Sequence, residues 1–106
     1  MTDDAPVPAH ALEPVWLVTA TYAPDAEETR APFRAAHLAN AARLKAAGVI
    51  VEIGGYVDVS ASVIVIRAES EQAALDVCRQ DVYMKNGVWV ELRAKPLGRL
   101  RLAREV

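Results

Sequence analysis

"SVIVIRAESEQAALDVCRQ", residues 62 to 80, is where the chain changes from one kind of structure to another. "SVIVIRA" (62–68) is rich in β-branched residues and reads as a strand. Ser70 offers a side-chain N-cap, although Ala73 stands where a capping-box acid would be. "EQAALDVCRQ" then continues as a helix. This strand-to-helix unit needs neighbours to bury its apolar faces, and the flanking sequence supplies them.

Upstream, "VIVEI" (49–53) is another strand, closed by Gly54-Gly55. Before it a helix is expected from about Thr29 to Ala47, with Pro32 in its first turn and Gly48 as its stop. "APDAEE" is a connection whose acids suit a helix N-terminus. "VWLVTATY" (15–22) is the first strand. Downstream, "VYMKNG" (82–87) reads as a turn, and "VWVELRAK" (88–95) as a fourth strand that stops at Pro96. The order is βαββαβ. It predicts an α+β fold, the ferredoxin-like plait: a four-stranded antiparallel sheet with two helices on one face.

The first strand offers Trp16, Val18, Ala20 and Tyr22 to one side, and Val15, Leu17, Thr19 and Thr21 to the other. Neither set suits a fully wet surface, so a second subunit is expected to cover the free face. "LGRLRLAREV" (97–106) is either an edge strand reaching across that dimer or a charged tail. Residues 1–14 contain Pro6, Pro8 and Pro14 without periodicity and are expected as a disordered tail, leaving 15–106 as the domain.

The 106 residues suffice for one domain. A net charge of −2 gives no field for nucleic acid. The single cysteine, Cys78, fits a reducing compartment and excludes an internal disulfide framework. The start is acidic and proline-rich, unlike a signal peptide. No apolar run approaches the roughly 20 residues that span a bilayer. A cytoplasmic protein with no nucleic-acid or membrane partner is expected.

Two titratable residues lie on apolar helix faces. Phe33, His37, Ala41 and Leu44 share one stripe of the first helix at about 100° per residue. His37 is either a core-edge histidine or a general acid/base. Asp81 ends the second helix, where the macrodipole disfavours an anion. It either caps a turn of Val82, Tyr83 and Met84 or pairs with His37, fixing the imidazole tautomer. Arg34, one turn before His37, could hold an anionic substrate group or Asp81, or be a solvated flank residue. Tyr22 and Tyr83 either line a pocket or only pack. Cys78 reads as a small core residue and His10 as an idle tail residue. Two histidines and one cysteine, widely separated, make no zinc site. There is no phosphate loop, dinucleotide fingerprint or nucleophile motif around Ser60 and Ser62. No metal or organic cofactor is expected.

"RAAHLANAARLKAAGVIVEIGG" (34–55) and "SVIVIRAESEQAALDVCRQDVYMKNGVWVELRAKPL" (62–97) resemble the YciI-like, YCII-related family. Its pattern is Arg-x-x-His-Leu on a helix, a glycine after the second strand, an Ala-rich helix, Asp-Pro-Tyr/Phe, a Gly-Val turn and a strand ending Lys-Pro-Phe. The resemblance implies a dimeric α+β barrel, two ferredoxin-like subunits packed sheet to sheet. It also implies an active site on a His–Asp pair, which falls on His37 and Asp81, with Arg34 matching the arginine. The family and its superfamily include a dehydrochlorinase of a chlorinated hydroxyhydroquinone, muconolactone isomerase and cofactor-free monooxygenases. Two positions depart from the pattern. Val82 replaces the proline after the aspartate, which leaves that backbone less constrained. Leu97 replaces the terminal aromatic.

Two functions fit these readings. One is a cofactor-independent acid/base enzyme of lyase, dehydrochlorinase or isomerase type, acting through His37 and Asp81 on a small enolisable or phenolic compound. The other is a non-catalytic dimeric module that binds a small molecule or serves as an accessory subunit. Either would act as a homodimer, with higher assembly left open.

Overall fold

The β-branched runs pair into one antiparallel sheet in the order β2-β3-β1-β4. A computed structural model describes residues 10–102, with the backbone alone at His10 and Leu102. Its elements are β1 (His10–Tyr22), α1 (Ala26–Thr29), a 3₁₀ turn (Ala31–Phe33), α2 (Arg34–Ala46), β2 (Ile50–Gly55), β3 (Ala61–Ile66), α3 (Glu71–Arg79), α4 (Val82–Lys85) and β4 (Trp89–Leu102). This is the ferredoxin-like plait that the element order predicts.

Cross-strand register assigns the faces. Val18 lies opposite Ile64, Trp16 opposite Ile66 and Ala20 opposite Ser62. That face carries the core, where Val18, Ile64 and Ile66 meet Ala74, Leu75 and Cys78 of α3. α2 lies over β2, and α3 over β1 and β4. Leu17, Thr19 and Thr21, with Val65, Val63 and Ala61 opposite them, form the helix-free face. Among these, Leu17, Thr19, Thr21, Val63 and Val65 are half-buried.

The expected single helix from Thr29 to Ala47 is instead α1, a 3₁₀ turn and α2. Pro32 is the cause. It lacks an N–H and crowds the preceding turn, and it sits inside the 3₁₀ turn. At the other end Gly48 takes φ +81°. There Val49 N–H donates to Leu44 C=O at 3.0 Å and Gly48 N–H to Lys45 C=O at 3.1 Å. This is a Schellman close that needs a left-handed residue, hence glycine. Ser70 caps α3 as expected, its Oγ accepting from Ala73 N–H at 3.1 Å.

Two boundaries are corrected. β1 begins at His10, so residues 10–14 of the expected tail are strand. β4 runs through Pro96 to Leu102 instead of stopping. Residues 10–14 pair with 98–102, forming a two-stranded ribbon beyond the end of β3. Proline is tolerated there because β4 is an edge strand and β1 has left β3 behind at Pro14. The ribbon's root is tied by Glu13, which accepts from Arg67 Nε at 2.6 Å and Arg99 at 3.1 Å. Residues 1–9, the rest of the expected tail, and 103–106 lie outside the described residues, as does the His10 side chain. Among the described residues no helix is long and apolar enough to cross a membrane.

One irregularity positions the site. Thr21 lies opposite Glu91 but Tyr22 opposite Trp89, so Val90 is an extra residue in β4. The bulge turns Val90 outward, 53% exposed, and brings Trp89 into the core at 2%.

Candidate functional site

The site forms where α2 crosses the α3–α4 junction. Asp81 is not the last residue of α3. It lies between α3 and α4, with φ −70° and ψ 144°, and is the N-cap of α4. The stretch read as a turn is therefore a short helix, closed by Gly87 at φ +73°. Asp81 Oδ2 accepts from Tyr83 N–H at 2.9 Å, and Lys85 N–H and Met84 N–H both donate to its carbonyl. Capping and pairing with His37 were posed as alternatives for Asp81, and its carboxylate does both. His37 Nδ1 lies 2.8 Å from Oδ2, with both residues buried.

Asn40, one turn after His37, donates from Nδ2 to Asp81 Oδ1 at 3.2 Å. Its own Oδ1 accepts from Arg43 at 2.7 Å. Sequence reasoning missed Asn40, although an amide three residues after a buried histidine on the same helix flank was a usable signal. Arg34 does not bond to Asp81; Asn40 takes that role.

Burial pushes the Asp81 carboxyl up, but this is outweighed. The His37 hydrogen bond, the Tyr83 backbone N–H, the His37 charge and the Asn40 amide together hold it below the usual carboxylate range. An ionised carboxylate only accepts, so Nδ1 carries a proton towards Asp81 whether or not the ring is charged, and in the neutral form the lone pair lies on Nε2. His37 lines the cleft described below and Asp81 does not.

Aromatic rings fix the imidazole plane. Tyr83 stacks on His37 with centroids 3.8 Å apart and 9° between planes. Trp89 meets it edge-on at 5.3 Å and 86°. Trp89 was not foreseen, because its inward turn depends on the Val90 bulge. Tyr22 stands 6.1 Å from Tyr83 and accepts a hydrogen bond from Ser62 Oγ at 3.1 Å.

Beside His37 lies a cleft of about 300 Å³. Tyr22, Tyr83 and Arg34, the three residues read as substrate-binding candidates, all line it, and so does Arg30, which was not foreseen. The far wall is the β2–β3 loop, including Tyr56, Val57 and Val59. Val59 holds φ +59°, a strained conformation for a β-branched residue. Cys78 stays in the core. Burial, helped by the Asp81 charge, pushes its thiol up to about 12, so it offers no thiolate. Among the described residues no three of His, Cys, Asp and Glu come together as a metal site.

The model of the YCII-related domain matches residues 15–97. The chain belongs to the YCII-related family. No curated protein matches the sequence. The solved structure of 5-chloro-2-hydroxyhydroquinone dehydrochlorinase (TftG) from Burkholderia phenoliruptrix AC1100, in complex with 2,5-dihydroxybenzoquinone, is similar. It is 24% identical, with a TM-score of 0.64 over 76% of this chain and 90% of that one. At that identity the likeness concerns the fold. In this YCII-related chain the proline position after the aspartate is Val82, the first residue of α4, where a helix leaves its N–H unbonded.

Two outcomes follow from this geometry. The folded Asp81 carboxyl binds its proton less tightly than in the unfolded chain. Its contribution to stability is present above the unfolded value, about 3.9, and is lost as pH falls through the lower folded value. Urea titrations between pH 2 and pH 6 should show wild type losing stability more steeply than Asp81→Asn; parallel curves would refute the assignment. Val82→Pro should raise stability by about 0.4–1 kcal/mol, because ψ 144° at Asp81 already suits a following proline. A lower urea midpoint would show that the Val82 N–H is needed.

Proposed function

We propose that this chain is a cofactor-independent acid/base enzyme of lyase or isomerase type. Its substrate is a small enolisable or phenolic ring. His37 is the proton-transfer residue, and Asp81 positions it. The observation that carries this is the buried 2.8 Å His37–Asp81 contact beside a cleft that His37 itself lines; with Nδ1 committed to Asp81, Nε2 is the nitrogen available for proton transfer. Family membership and the fold shared with a hydroxyhydroquinone dehydrochlorinase support it.

In this mechanism Nε2 takes a proton from a C–H or O–H of the bound ring. The released electron pair enters the ring π system. It then expels a leaving group such as chloride, or recaptures the proton at another carbon. Asp81 stabilises the imidazolium as it forms, and Asn40 keeps Asp81 aimed. Arg34 faces the substrate, and Tyr22 and Tyr83 wall its ring. The scheme needs only these side chains.

We also propose that two copies pack through the helix-free face. Leu17, Val63 and Val65 form its apolar centre. Glu91, Arg93 and Lys95 flank it on β4, and Glu52 on β2. A sheet with one face under helices and the other this apolar is best buried by its own equal.

Deuterium uptake from D₂O and chloride release can be followed by NMR and ion detection over a panel of phenolic and enolisable rings that includes 5-chloro-2-hydroxyhydroquinone. A substrate found this way should be turned over about 10²–10⁴-fold more slowly by His37→Gln. Undiminished turnover by a folded His37→Gln protein would remove His37 from the chemistry. A ligand that binds tightly and is recovered unchanged would make this a binding module. Sedimentation should give a dimer for wild type and a folded monomer for Val65→Asp; a wild-type monomer would overturn the pairing.

A further inference from the structure

The cleft has an unusual charge for this chain. The protein holds 14 acidic residues against 12 lysines and arginines. Yet the cleft lining includes two arginines, Arg30 and Arg34, and no aspartate or glutamate. Asp81, the nearest acid to the imidazole, lies behind His37 and is already committed to it.

The two guanidiniums also differ from every other described arginine except Arg101, which lies on the distant ribbon. Arg43, Arg67, Arg79, Arg93 and Arg99 each bond to a carboxylate or amide side chain. Among the described residues Arg34 has no such partner. Arg30 has only the face of Tyr22, 5.8 Å from its ring centroid. Local geometry places both on one wall. Arg30 precedes the 3₁₀ turn, Arg34 opens α2, and the break at Pro32 keeps them four residues apart on the same side. The positive end of α2 adds to the same field.

A second feature points the same way. Tyr83, only 1% exposed, has a hydroxyl with no hydrogen-bond partner among the described residues. Burial pushes this phenol above its ordinary pKa and the neighbouring Tyr22 hydroxyl adds to that, while Arg34 and Arg30 pull it back. Both arginines therefore act electrostatically on the wall against which a ligand ring would lie.

We infer that the cleft selects a flat, single-ring ligand bearing a carboxylate, which Arg30 and Arg34 hold while its ring lies along the wall of Tyr22 and Tyr83. The inference rests on the reading that this cleft is the substrate site. At about 300 Å³ the cleft is at the lower end of small-molecule sites, roughly 300–1,000 Å³, which suits one ring. The guanidinium fork binds carboxylates and phosphates alike, but a ring carboxylate is smaller and lies close to the ring plane, which suits a cleft of this size better than a tetrahedral phosphate ester.

The test uses matched pairs of probes, 4-hydroxybenzoate with 4-hydroxybenzamide and 2,5-dihydroxybenzoate with its amide. Binding to the wild-type protein is measured by calorimetry and by NMR shifts at the cleft residues. The carboxylate should bind at least tenfold more tightly than its amide. Arg34→Met and Arg30→Met should each erase most of that preference, and Arg30→Lys should keep part of it. Arg34 is exposed, so Arg34→Met is not expected to disturb folding. Equal binding of acid and amide within the cleft would overturn the inference and leave the acid/base reading standing. Tighter binding of phenyl phosphate than of either carboxylate would overturn the choice of carboxylate. No cleft shift with any probe would overturn both the inference and the reading beneath it. Because the readout is binding, a His37 variant that binds normally but does not turn over keeps the two questions separate.

Discussion

A single buried carboxylate holds the site together. Asp81 receives His37 Nδ1, the Tyr83 backbone N–H and the Asn40 amide. An isolated carboxylate at that depth would be strongly disfavoured and would neutralise itself. Each donor therefore gains strength from the charge and in return keeps the charge in place. The three donors come from two chain segments more than forty residues apart. Satisfying one anion thus fixes α2 against the α3–α4 junction, and with it the direction in which the imidazole points.

From there the consequences run outward. α4 starts where it does because Asp81 caps it, and its first turn delivers Tyr83 flat against the imidazole. Gly87 ends α4, and the chain re-enters the sheet with Trp89 turned inward by the Val90 bulge. The ring is held on a face, an edge and a nitrogen, and its second nitrogen has no hydrogen-bond partner among the described residues. The precision of the site comes from short-range devices, a cap, a left-handed glycine and a bulge, stacked in sequence between residues 81 and 90.

Much of this was legible in the sequence, and what was not has physical reasons. The βαββαβ order, the Ser70 cap and the Gly48 stop are local and could be read directly. His37 and Asp81 stood out as ionisable groups on apolar helix faces. Residues 97–106 were open to reading as an edge strand, but their continuity with β4 and their pairing with residues 10–14 were hidden because Pro14 and Pro96 read as breakers; proline's exclusion from sheets lapses where a strand has a free edge, and that depends on tertiary pairing. α4 was hidden by its brevity, since four residues carry no periodicity. Asn40 and Arg30 were passed over because a polar residue on a helix flank is ordinary until the fold shows what stands opposite it.

Asp81 has two duties of unequal kind, and this bears on how such sequences diverge. Its cap to α4 serves stability whether or not any reaction takes place. His37 adds a donor to that same carboxylate, and a leucine in its place would leave a buried charge short of one partner. A lineage without proton transfer would therefore still be selected to keep both residues, the aspartate for its cap and the histidine for its bond to the aspartate. Across descendants of this architecture the pair records ancestry of the fold, and its presence alone does not report on chemistry.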